Sequence, residues 1–172
     1  MKRLLIRADS SLEIGSGHLM RCLALAQAWQ EEGGDVIFVL AKSHPAFTQR
    51  ISQEQMSLSL LNVTQAGSSE DALHTLDLFQ KHEADWLVLD GYHFTTAFQQ
   101  QLKQAGVPLL IFDDYGHLDY YWADIIVNAA LELSNTLYQS RQQNAQILLG
   151  PSFALIRREF RNFSMPSPSN QT

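Results

Sequence analysis

Cysteine is almost missing from this chain. Cys22 is the single one in 172 residues, which excludes an intramolecular disulfide and a cysteine-built zinc cage and suits a reducing compartment. Basic charge is scarce too. Twelve Lys and Arg stand against eighteen Asp and Glu, for a net charge of −6, and a chain that repels phosphate backbones overall is a poor general binder of nucleic acid or anionic membrane. Long hydrophobic runs are absent. Met1-Lys2-Arg3-Leu4-Leu5-Ile6-Arg7 holds only three consecutive apolar residues, whereas a secretory core needs about seven to fifteen. No later run approaches the ~20 residues of a spanning helix. The expectation is a soluble, cytoplasmic protein with no membrane and no nucleic-acid partner.

What is present is a packable composition, 45% hydrophobic and 17% charged, in a length that fits one ordinary domain. Short apolar runs alternate with helical periods. Leu4-Leu5-Ile6 reads as a strand, and a helix follows from about His18 to Glu32, with Leu19, Cys22, Leu23, Ala26 and Trp29 at helical spacing and Gly33-Gly34 as its stop. Val36 to Val39 is nearly continuous and apolar, as a strand buried on both faces should be. Pro45 suits the first turn of a short helix. Further strands are expected at Ser57 to Val63, Trp86 to Leu89, Leu109 to Phe112, Ile125 to Val127 and Ile147 to Leu149. Between them, Ser68 or Ser69 caps a helix through Lys81, and Thr95 or Thr96 opens one that Gly106 ends. This alternation predicts an α/β fold: an open, mostly parallel, Rossmann-like sheet with helices on both faces, over residues 1–160. Residues 161–172, rich in Ser and Pro, are expected to be a disordered tail or a truncated interdomain linker.

In such sheets ligands bind beyond the carboxyl ends of the strands. That rule gathers Arg7, Asp9 and the loop Gly15-Ser16-Gly17-His18 after the first strand, Asp90 and Tyr92 after the strand at Trp86, and Asp113 and Asp114 after the next. Glycines at a helix start let the backbone approach an anion while the first amides lack partners. The full dinucleotide fingerprint is not met, since Met20 stands three after Gly17, and a diphosphate or an anionic leaving group fits the loop better. His18 lies in the first turn, where the positive helix end is expected to disfavour its protonation. A neutral imidazole there can take a proton from water or a sugar hydroxyl, or else simply cap the turn. Arg21, one turn on, faces the same cleft or solvent. The carboxylates either orient His18 and hold substrate hydroxyls or cap turns, and Tyr92 either flanks a sugar ring or packs. Cys22, on the apolar face, reads as core. His44, His74, His82, His93 and His117 have no metal spacing, so no metal and no cofactor are expected. No Gly-x-Ser-x-Gly elbow occurs, which argues against a serine esterase.

Three stretches in order resemble a known family: Arg7-Ala8-Asp9-Ser10-Ser11 with Ile14-Gly15-Ser16-Gly17-His18 and Arg21-Cys22-Leu23; Leu89-Asp90-Gly91-Tyr92; and Gly150-Pro151-Ser152-Phe153-Ala154-Leu155-Ile156-Arg157-Arg158-Glu159-Phe160. Asp113-Asp114 and Ile125-Ile126-Val127-Asn128 fit between them. The combination, running from Arg3 to about Phe160, resembles the UDP-2,4-diacetamido-2,4,6-trideoxy-β-L-altropyranose hydrolases of pseudaminic acid synthesis. The resemblance implies the N-terminal half of a two-domain, glycosyltransferase-like GT-B architecture. It implies metal-independent water attack on the anomeric carbon of a UDP-linked amino sugar, with His18 as the catalytic histidine and Tyr92 as the cleft tyrosine. The family's second domain, with most of the nucleotide contacts, would follow Phe160. The chain by itself is therefore expected to be inactive, with a separate chain as one source of the C-terminal nucleotide-binding domain. Two rivals stand beside this reading: the acceptor-binding half of a UDP-sugar glycosyltransferase, and a non-catalytic domain that binds a nucleotide sugar or a partner.

Overall fold

The computed structural model describes residues 1–9, 17–131 and 136–161. Seven strands form one sheet, every pairing parallel, in the order β3-β2-β1-β4-β5-β6-β7. They are β1 (Arg3–Ala8), β2 (Asp35–Leu40), β3 (Ser57–Leu60), β4 (Trp86–Asp90), β5 (Leu109–Phe112), β6 (Ile125–Asn128) and β7 (Gln146–Leu149). The helices are α1 (Gly17–Glu31), α2 (Pro45–Gln53), α3 (Ser69–Lys81), α4 (Thr96–Gln104) and the short α5 (Arg158–Arg161), with a 3-10 turn at Pro151–Phe153. This is the Rossmann-like α/β architecture expected from the sequence.

Strand alternation sorts the core into two layers, because successive side chains leave the sheet on opposite faces. Leu4, Ile6, Val36, Phe38 and Val88 meet Leu19, Leu23 and Ala26 of α1 and Phe47 and Ile51 of α2 on one face. Leu5, Val39, Leu87, Leu89 and Ile111 meet Ala72 of α3 and Phe98 and Leu102 of α4 on the other. Burial on both faces is what made the central strands read as unbroken apolar runs. Helix starts follow side-chain capping. Ser68 accepts a hydrogen bond from the Asp71 amide and Thr95 from that of Phe98, so Ser68 and Thr95, rather than their neighbours, are the caps.

Several boundaries shift by a residue or two, and two differences bear on the ends of the sheet and the chain. β3 stops at Leu60, not Val63, and is an edge strand with half its positions exposed. Arg161, expected to begin a tail, belongs to α5 and pairs with Glu31 at 2.7 Å; the rest of that expected tail lies outside the described residues. Among the described residues, no helix is long and apolar enough to cross a membrane.

Candidate active site

β1 continues into α1 on one side of the sheet while β4, its neighbour, leads to α4, whose layer lies on the other. The strand order therefore reverses direction at the β1–β4 border, and a crevice opens outside their carboxyl ends. Into it project His18 and Arg21 from the first turns of α1, Tyr92 from just beyond β4, and Asp114 from the segment after β5, while Asp90, the last residue of β4, is buried against them. Gly17, His18, Arg21, Tyr92 and Asp114 line a cavity of about 340 Å³.

The geometry centres on Asp90, which is 1% exposed. Its Oδ1 lies 2.6 Å from His18 Nδ1. Arg21 grips both carboxylate oxygens, Nε to Oδ2 at 2.9 Å and Nη2 to Oδ1 at 2.7 Å. The Cys22 thiol donates to Oδ2 at 3.4 Å. Arg21 then turns its Nη1 to Asp114 Oδ1 at 2.5 Å, and Asp114 Oδ2 accepts from the Tyr92 hydroxyl at 2.7 Å. The Tyr92 ring meets that of His18 edge-on, with centroids 4.9 Å apart. His18, Asp90, Arg21, Asp114 and Tyr92 thus form a closed circuit, and with Nδ1 committed to Asp90, the Nε2 of His18 is the nitrogen left without a partner among the described residues.

The hydrogen bond to Asp90 holds the His18 pKa above its ordinary 6.5 against the opposing pull of burial and of Arg21. This corrects the expectation that the helix end would disfavour protonation: a carboxylate at hydrogen-bond distance outweighs a half-charge spread over several amides. Burial, the hydrogen bond to Asp114 and its charge push the Tyr92 hydroxyl up to about 12. Burial drives the Cys22 thiol well above its ordinary value, reinforced by Asp90, which fits a core residue rather than a nucleophile.

Three residues expected to hold substrate are buried and do not line the cavity around His18. Arg7 is wholly buried. It binds Asp71 with two bonds, Nε to Oδ1 at 3.0 Å and Nη2 to Oδ2 at 2.7 Å, and Asp9 at 2.8 Å. Asp9 accepts from the amides of Ala41 and Lys42 at 2.7 and 2.9 Å, and its other oxygen faces His93 Nε2 at 3.2 Å. Asp113 is buried and accepts from the amides of Asp114 and Gly116 and from the Tyr121 hydroxyl. All three are buried and tie neighbouring segments together, and Asp9 also lines a separate cavity of about 320 Å³ with Lys42, Thr64 and His93. Gly15 and Ser16 lie outside the described residues. Sequence reasoning missed Asp71, His93, Tyr115 and His117. The available signals were a buried-strand arginine that needs a carboxylate and the four-residue spacing from Asp113 to His117. Among the described residues, no cluster of three or more His, Cys, Asp or Glu is arranged to hold a metal ion.

No protein-family model matches the chain. Over 160 residues, 92% of the chain, it is 28% identical to the UDP-2,4-diacetamido-2,4,6-trideoxy-beta-L-altropyranose hydrolase of Campylobacter jejuni, of which the match covers 53%. The chain resembles that hydrolase. An uncharacterized protein of Methanocaldococcus jannaschii is 24% identical over the same share of the chain and 31% of its own length. MurG of Acinetobacter baumannii superposes with a TM-score of 0.57 at 14% identity, over 83% of this chain and 44% of MurG. A glycosyltransferase from Rickettsia africae gives the same TM-score at 10% identity, over 86% and 42%. The chain thus spans about half the length of the hydrolase it resembles and less than half of its structural neighbours. Its fold is that of the Rossmann-like half of a GT-B glycosyltransferase.

Proposed function

We propose that this chain is the N-terminal domain of a nucleotide-sugar hydrolase, releasing UDP and a free diacetamido-trideoxy hexose by water attack at the anomeric carbon. The observation that carries the reading is the 2.6 Å contact between His18 Nδ1 and Asp90. This contact favours the tautomer that donates Nδ1–H to Asp90 and leaves Nε2 to take a proton from water, with the carboxylate stabilising the imidazolium that forms. Arg21 holds Asp90 in place, and Tyr92 closes one side of the imidazole. Direct attack by water gives inversion, with UDP leaving as a good anion that needs little acid assistance. No cofactor enters this scheme. A UDP-linked amino sugar is the substrate partner, a step of pseudaminic acid synthesis its setting and the cytoplasm its compartment. The nucleotide half of the site would come from a second α/β domain, in the same or another chain.

The glycosyltransferase neighbours favour a second reading, in which His18 deprotonates a sugar hydroxyl instead of water. Incubation with a UDP-sugar and no acceptor separates the two, with the second domain supplied. Free sugar and UDP in equal amounts support hydrolysis; UDP release that waits for an added sugar acceptor supports transfer. Under either reading, His18→Asn is expected to lower turnover on the order of 10²- to 10⁴-fold with little change in melting temperature. Wild-type turnover in this variant refutes the assignment, and binding without any turnover supports a non-catalytic role.

A further inference from the structure

The loop between β5 and β6 is fixed more firmly than a surface connection requires. Asp113 gathers the amides of Asp114, Tyr115 and Gly116 at 2.8, 3.4 and 3.0 Å, His117 Nδ1 at 3.1 Å and the Tyr121 hydroxyl at 2.5 Å. The residue this rigid loop displays is Tyr115, whose side chain is 55% exposed. Its ring lies 5.1 Å from that of Tyr92 and 5.3 Å from His117, and Tyr92 lies 4.9 Å from His18. A row of rings therefore runs outward from the proposed base: His18, Tyr92, Tyr115. Tyr92, itself 46% exposed, is pinned by its hydroxyl to Asp114. Tyr115 has only its backbone amide in a hydrogen bond among the described residues.

The polar groups that the described residues bring to the cavity are meanwhile, apart from His18 Nε2, spent on each other. Arg21 answers Asp90 and Asp114, and the Tyr92 hydroxyl answers Asp114. A sugar with a full set of ring hydroxyls would find few free partners here and would leave some of its own groups unsatisfied. An aromatic shelf instead rewards C–H-rich and methyl-bearing substituents, whose burial removes apolar surface from water on both sides. We propose that Tyr115 is a specificity-determining residue, its ring together with Tyr92 receiving the acetamido methyl of the hexose whose anomeric carbon faces His18. This inference rests on the nucleotide-sugar reading above and deepens it.

Its test is a binding selectivity, which a merely structural role would not move. The 172-residue protein is titrated with UDP-N-acetylglucosamine and UDP-glucose, which differ in carrying acetamido or hydroxyl at C2. Chemical shifts and saturation transfer to the acetyl methyl are followed by NMR. Wild type should favour the acetamido sugar by about fivefold, with saturation reaching its methyl group. Tyr115→Ala should erase that preference, and Tyr115→Phe should keep it, because the hydroxyl has no hydrogen-bond partner among the described residues. The proposal is overturned if wild type shows no preference, if neither sugar binds, or if the preference survives in Tyr115→Ala. The functional reading has a separate readout, His18-dependent UDP release with the second domain supplied. A Tyr115-dependent preference without hydrolysis would sink that reading and leave the shelf; hydrolysis with a Tyr115-independent preference would do the reverse.

Discussion

Asp90 serves three side chains from a nearly dry position, and its substitution should be felt as chemistry before it is felt as stability. In Asp90→Asn the His18 pKa should fall back toward or below 6.5, because the carboxylate that raises it is gone. An NMR titration of the imidazole reads this directly; an unchanged pKa would disprove the dyad. In the wild type, turnover should climb with pH through the raised His18 value, since only the neutral ring accepts a proton. The stability contribution runs the other way. A raised folded pKa contributes fully below 6.5 and is lost as pH rises through the folded value, so Asp90→Asn should cost more stability at pH 6 than at pH 9. Arg7 makes the opposite case. Arg7→Met leaves Asp71 and Asp9 buried without their cation and should cost about 3–5 kcal/mol in urea unfolding, with normal turnover per folded molecule. The histidine and the rim carboxylates were legible because glycines, a helix start and strand ends mark them. Whether Arg7, Asp9 and Asp113 reach substrate or tie loops together was not legible, because the sequence places a residue at a strand end without saying whether its side chain faces the crevice or is buried.

At the scale of elements, legibility followed burial. β2 and β4 stand out as apolar runs because helices cover both faces, whereas β3, at an edge and half exposed, blurred into the residues after it. Between β5 and β6 no helix forms among the described residues, and the polar network around Asp113 does the ordering that a helix does elsewhere. A buried network of that kind depends on contacts distant in space, which no local pattern announces. The loops flanking the crevice interlock tightly as well. Gly67, at φ +79°, would place an added Cβ 2.1 Å from the His93 carbonyl oxygen, and Gly91 would place one 2.8 Å from the His93 ring. Gly67→Ala should therefore cost about 1–3 kcal/mol by strain and overpacking. Gly91→Ala should displace the loop carrying Tyr92 and lower turnover more than it lowers the melting temperature. Thermal unfolding and UDP release on both variants check the pair; equal and small effects would show the loops to be slack.

For the whole molecule, the disposition of charge predicts what the isolated chain will bind. Arg7 and Arg21 are each answered by two carboxylates, so the cavity around His18 offers a diphosphate no uncommitted guanidinium among the described residues. UDP should bind the 172-residue chain with millimolar affinity or weaker, on the order of 4 kcal/mol; micromolar binding by calorimetry would contradict this. Acid should destabilise the fold. Burial alone would raise Asp9, Asp113 and Asp114, yet the partners they meet hold all three below the ordinary 3.8: His93 and Arg7 for Asp9, Tyr121 and His117 for Asp113, Arg21 and Tyr92 for Asp114. Depressed carboxylates stabilise above their unfolded value and lose that contribution as pH falls through the folded one. Melting temperature should accordingly drop steeply below about pH 4, and a flat acid limb would argue against these pairings.

The central position of β1 has a consequence for how the molecule is made. Its neighbours are β2, close in the chain, and β4, which begins only at Trp86. The bond between His18 and Asp90 spans 72 residues. A chain emerging from the ribosome can lay β2 beside β1 early, but it leaves the other edge of β1 open until β4 has been synthesised. Such long loop closures are slow, and an unpaired apolar edge invites mispairing while it waits. The dyad should therefore be among the last features to form in refolding, its His18 signal appearing with β4 rather than with α1.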